Sequence, residues 1–138
     1  MTGGEITKVL YQCVKAMDLP VTGEVYYKGM RPLQNGDDPG KEDIVVAVLT
    51  GTAKQIQKGS CVVNVYVPDT QVASGAFLWS KRRTDEIERW LEKVPKELTR
   101  RSGILFKASG MIATLAEERV REHFVSLKMD FKLLNDNY

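Results

Sequence analysis

From Val125 to Leu133 the chain alternates without a break: Val125, Leu127, Met129, Phe131 and Leu133 point one way, and Ser126, Lys128, Asp130 and Lys132 the other. A period of two predicts an antiparallel strand with one buried and one wet face. The first twenty residues follow a different period. Ile6, Val9, Leu10, Cys13, Val14 and Met17 recur at the spacing of one helical face, which predicts an amphipathic helix. Thr2 and Glu5 have the spacing of a capping box, each side chain satisfying a free backbone N–H of the first turn. Leu19-Pro20 ends this helix, because the residue before a proline is pushed out of helical space; its span is about Thr2 to Leu19.

Three strands are predicted next. Glu24 to Met30 is short and rich in β-formers. Ile44 to Leu49 is apolar on both faces, as in a central strand covered on both sides or covered on one side and packed against a neighbouring subunit. Cys61 to Val67 is a second strong strand, stopped by Pro68-Asp69, and the two form an antiparallel hairpin with polar residues from Thr50 to Gly59 continuing or turning it. Arg31 to Asp43, RPLQNGDDPGKED, is a loop, since its prolines, glycines and Asp/Asn residues supply turn geometry and compete with a ladder. Connections of this length are usually functional or mobile.

Asp69 to Ser80 carries little pattern. From Lys81 to Leu98 a second helix is predicted, with Ile87, Trp90, Leu91, Val94 and Leu98 on one face. Pro95 should kink it or start a new turn. Its other face, with Arg82, Asp85, Glu86, Arg89, Glu92, Lys93 and Lys96, mixes signs as a solvated or interface face does. Gly103–Lys107 and Met111–Leu115 are short strand candidates, with Ser109-Gly110 between them as a turn or bulge. Asn135–Tyr138 is a polar tail. These elements predict the α+β class: an antiparallel sheet of about four to six strands with two helices packed on one face, in the order α-β-β-β-α-β-β.

A chain of 138 residues fits one domain, 1–138, and buries enough surface for a core without staples. Twenty Lys and Arg against eighteen Asp and Glu leave a net charge of +2, too balanced to argue for nucleic-acid binding by bulk charge. MTGGEITKVL has no basic region leading into an apolar core, and no apolar run approaches the ~18 residues that span a bilayer, so the expected setting is a cytoplasm. There Cys13 and Cys61, both in apolar segments and without metal-ligand spacing, are expected to be reduced, inaccessible thiols; a disulfide is the alternative.

Reactive chemistry has few places to reside. His123 is the only histidine, in register with Val125 and Leu127, and reads as a partly buried structural residue. The pairs Asp37-Asp38 and Glu42-Asp43 belong to the polar loop. Gly36 and Gly40 precede Lys41, but Asp37, Asp38 and Pro39 intervene and no phosphate-cradling spacing results. No catalytic residue, cofactor or metal ligand is therefore assigned. Lys81, Arg82 and Arg83, with Arg100 and Arg101, bracket the second helix and form a candidate basic patch that phosphate or an acidic partner would recognise.

The order and texture of these elements resemble the tail-completion, or tail-terminator and head–tail joining, proteins of long-tailed bacteriophages and prophages. The resemblance covers nearly the whole chain: the opening helix, VYYKGMRP and the polar loop, EDIVVAVLTG, GSCVVNVYVPD, a helix with a basic start, and EHFVSLKMDFKLLN. It implies a cofactor-free structural subunit of a ring, commonly a hexamer. Such a ring caps the tail tube or joins tail to head, in the host cytoplasm during assembly and in the virion tail when mature. Its partners would be other copies of the chain and tail-tube or head-connector proteins, with DNA only passing through. The loop and strand edges would touch neighbours, making Arg31, Asp37, Asp38, Lys41, Ile44, Val46 and Val48 candidate interface residues. A small nucleic-acid-binding or regulatory module using the basic flanks of the second helix is the alternative, and a small enzyme without a recognisable motif a third.

Overall fold

The computed structural model describes residues 1–51 and 58–133. The turn expected between the two long strands and the tail Asn135–Tyr138 lie, for residues 52–57 and 134–138, outside that range. The first helix, α1 (Gly3–Ala16), starts as its sequence dictates. The Glu5 N–H donates to Thr2 Oγ1 and the Thr2 N–H to Glu5 Oε1, both at 3.2 Å. Ile6, Leu10 and Val14 are its buried stripe. The chain then leaves helical space at Asp18, whose φ is 50°.

The fold is α+β, built on a six-stranded sheet with β1 (Val25–Tyr27), β2 (Asp43–Gly51), β3 (Lys58–Pro68), β8 (Glu122–Lys132) and β6 (Leu105–Ala108) in that spatial order. β7 (Ala113–Glu117) also pairs with β8. The sheet is mixed: β1 runs parallel to β2, where an antiparallel sheet was expected. A parallel pair needs a connection that carries the chain back to its starting end, and the long polar loop provides it without a helix. β2 and β3 form the expected antiparallel hairpin, with a register shift between Val48 and Thr50. Gly59 sits opposite that irregularity, and any Cβ there would collide with the Thr50 carbonyl.

Register places the core. Ile44 opposes Val65, which opposes Val125; Val46 opposes Val63, which opposes Leu127. These residues share one sheet face and join the buried residues of the helices in a single cluster. The second helical segment is two helices rather than one. α2 (Lys81–Leu91) and α3 (Val94–Ser102) break at Glu92–Lys93, with Pro95 in the first turn of α3. A proline there loses no helical hydrogen bond, since that N–H has no partner anyway. Ile87, Leu91, Val94 and Leu98 still reach one core.

β6 pairs with the Met129–Lys132 half of β8, and β7 with the Glu122–Ser126 half. Both run antiparallel to β8, so they are one sheet edge interrupted at residues 109–112 rather than a hairpin. The weakly patterned segment after Asp69 contains a separate two-stranded arm, β4 (Thr70–Gln71) and β5 (Phe77–Leu78), turned at Gly75 with φ 88°. No helix of the described residues is long and apolar enough to cross a membrane.

Candidate interaction surfaces

The long loop is pinned at both ends. Arg31 donates from Nε to Asp43 Oδ2 at 3.0 Å, from Nη1 to Glu122 Oε2 at 2.7 Å and from Nη2 to Glu122 Oε1 at 2.9 Å. Its guanidinium lies 4.4 Å from the centre of the Tyr66 ring. The Glu122 side chain is 0% exposed and that of Arg31 10%. Burial works against the charged guanidinium, but the hydrogen bonds to Glu122 and Asp43, with their charges, outweigh it and hold the Arg31 pKa above its ordinary value. At the far end Glu42 accepts from Arg83 Nε and Nη2 at 2.7 and 2.9 Å, and Arg83 also donates to the Pro20 carbonyl. Midway, the Gly36 N–H donates to the Arg119 carbonyl at 2.9 Å. Between loop and sheet remains a cavity of about 340 Å³, lined among others by Lys28, Arg31, Tyr66, Arg119 and Glu122.

This arrangement revises the expected interface. Ile44 and Val46 face the helices and are fully enclosed, and Val48 packs against the same core. None of the three offers a free apolar side chain to a neighbour. Val45 and Ala47, on the opposite face, are buried as well, and Val45 lies beside the cavity under the loop. The two-faced apolar pattern of β2 is thus satisfied within one chain. Arg31 is committed to Asp43 and Glu122. Asp37, Asp38 and Lys41 remain exposed at the loop's tip, where Asp37 accepts from the Gln34 N–H at 2.8 Å.

The basic patch is largely neutralised from within. Lys81 pairs with Asp85 at 2.8 Å, Arg83 with Glu42 and Glu86, and Arg100 and Arg101 both with Glu97. The hydrogen bonds from Arg100 and Arg101 hold the Glu97 carboxyl down at about 2. Arg82 is exposed and makes no ion pair among the described residues.

His123 joins the arm to the sheet. Its Nδ1 is hydrogen-bonded to Asp69 Oδ1 at 2.7 Å, and its ring stacks on Trp79 at 5.1 Å between centres and 13° between planes. Trp79 in turn donates from Nε1 to Thr84 Oγ1 at 2.9 Å. The thiols are unpaired. Cys61 is enclosed, and burial pushes its pKa up to about 12. Cys13 is only half-buried, so the expectation that both thiols are inaccessible fails at that position, although burial raises its pKa too. Among the described residues no three of His, Cys, Asp and Glu are grouped as a metal site would need.

Two surfaces stand out that the sequence pattern did not single out. On the interrupted β6–β7 edge Met111 is 87% exposed, with Leu115 and Leu105 also open. Met111 and Ile112 border a groove of about 480 Å³ whose far wall is Glu88, Glu92 and Pro95 from α2 and the start of α3. β7 reads ATLAE and has neither the lysine nor the proline that commonly blunts an edge strand. The other surface is the arm, where Leu78 is 54% exposed beside open Val72 and Trp79. Reading Met111–Leu115 as a strand was possible from sequence; that it forms an edge is a property of strand order, which no local pattern carries. Comparison with protein families finds no matching family model, and comparison with curated proteins finds no match.

Proposed function

We propose that this chain is a structural assembly subunit of a phage or prophage tail, forming a ring that caps the tail tube or joins tail to head. The observation that carries the reading is the open β7 half of the β6–β7 edge. An unblunted edge strand flanked by exposed Met111 and Leu115 is a template for pairing with another chain. The polar groups with reactive potential are engaged in holding the fold: His123 fastens the arm, Arg31 and Glu122 fasten the loop, and Cys61 is enclosed. Exposed apolar surface and engaged polar groups suit a part that works by contact. The alternative of a nucleic-acid-binding module has less support, because four of the five candidate basic residues are held in ion pairs within the chain.

Negative-stain electron microscopy of the purified chain, alone and mixed with tail-tube subunits, tests the reading. Closed rings, free or seated on tube ends, are the expected result. Undecorated tubes together with an absence of rings would reject it.

A further inference from the structure

Two separate sites expose large apolar side chains beside charges of opposite sign. The arm exposes Val72, Leu78 and Trp79, and the first turn of α2 beside it carries Lys81 and Arg82. At the edge, Met111 is exposed beside a groove walled by Glu88 and Glu92, while Leu105 and Leu115 lie on the opposite sheet face. The same helix separates them: the eleven residue steps from Lys81 to Glu92 span about 16 Å at the helical rise. Because Leu78 and Trp79 are open to solvent, the arm does not occupy its own chain's groove.

Two different patches of complementary charge define a heterologous contact, and a heterologous contact repeats head to tail, giving a ring where the rotation closes and an open filament where it does not. Resting on the assembly reading above, we infer that the arm of one copy docks on the β7 edge and groove of the next, with Leu78 against Met111 and Arg82 facing Glu92. Arg82 is the member of the basic cluster with no ion-pair partner among the described residues, and Glu92 is likewise unpaired there. The neighbouring Lys93 and Lys96 stand beyond Glu92 on the helical segment, so the attraction is local to the groove wall rather than a property of the whole surface.

Complementation between two variants tests this. Leu78→Asp disables the arm and Met111→Asp the edge; both sites are exposed, so folding is retained, as circular dichroism would verify. Each variant alone should associate at least about tenfold more weakly than the unmodified chain, a cost of ~1.4 kcal/mol. An equimolar mixture should yield dimers that grow no further, since one intact arm and one intact edge remain. Arg82→Glu and Glu92→Arg should each weaken association, and the two changes combined in one chain should restore it. If Leu78→Asp assembles like the unmodified chain while Met111→Asp does not, the contact is edge to edge and the arm is not the partner; the assembly reading then survives. If the mixture stays monomeric and the charge exchange rescues nothing, the head-to-tail pairing is wrong. An unmodified chain that never associates, alone or with tubes, removes both readings.

Discussion

Arg31 and Glu122 form a two-pronged ion pair at 2.7 and 2.9 Å that joins the long loop to the last strand across 91 positions of sequence. The carboxylate is wholly enclosed, so its charge is tolerated only because the guanidinium faces it and Asp43 holds the third nitrogen. Arg31→Ala should therefore destabilise the fold by about 3–5 kcal/mol, the range for breaking a buried pair on one side. Arg31→Met combined with Glu122→Leu and Asp43→Asn should recover most of that loss, because no uncompensated charge then remains among the three partners. Urea unfolding of the three proteins checks both outcomes.

The thiols should react in sequence. A thiol reagent should modify half-buried Cys13 in the native protein and reach enclosed Cys61 only through unfolding. The same burial links Cys61 to alkaline stability. Its pKa rises from an ordinary 9.0 to about 12 in the fold, so the unfolded chain ionises first. The contribution is full below pH 9 and is lost as pH climbs towards 12. Cys61→Ser should flatten that part of the stability profile, measured by chemical denaturation at several alkaline pH values.

Loosening the arm should leave the core intact. His123→Ala removes the hydrogen bond to Asp69 and the stack on Trp79. Global stability should fall by no more than about 1–3 kcal/mol, combining one hydrogen bond and one aromatic contact. Backbone amides of the arm, such as Val72 and Gly75, should exchange markedly faster, while those of β3 and β8 keep their protection. Hydrogen exchange resolved by residue separates the two regions.

The Glu97 carboxyl should titrate near pH 2, held there by its hydrogen bonds to Arg100 and Arg101. Arg100→Gln with Arg101→Gln should return it to the ordinary carboxylate range. Because all three side chains are on the surface, added salt should narrow the difference. Carboxyl carbon shifts followed by NMR across acid pH report it directly.

The elements legible in the sequence were those long enough to show a period. α1, the β2–β3 hairpin and β8 each repeat an apolar position several times, and their apolar faces are as the pattern predicts, although Ser126, expected on the wet face of β8, is buried. What escaped has no period to read. β4 and β5 are two residues each. β1 is three residues long and its parallel pairing depends on where the loop returns. Pro95 marked a break, but whether it kinks one helix or opens another is decided by Val94 and Leu98 reaching the core. At the candidate surfaces the difference is sharper. Arg31 looked like a loop residue free for a neighbour because its partner, Glu122, stands far along the chain, and Ile44 and Val46 looked two-sided because the loop's return over β2 is a tertiary event. Met111 and Leu115 became candidates only once strand order placed them on an edge.

Native mass measurement across a concentration series tests assembly through the β6–β7 edge most directly. The unmodified chain should pass from monomer to a closed multiple of 15.5 kDa, with tail-tube subunits present if the free ring is weak. Met111→Asp should shift that transition to concentrations at least about tenfold higher, a loss of ~1.4 kcal/mol per contact. A chain that remains monomeric at every concentration and binds no tube, or a Met111→Asp protein that assembles as the unmodified chain does, would contradict the account.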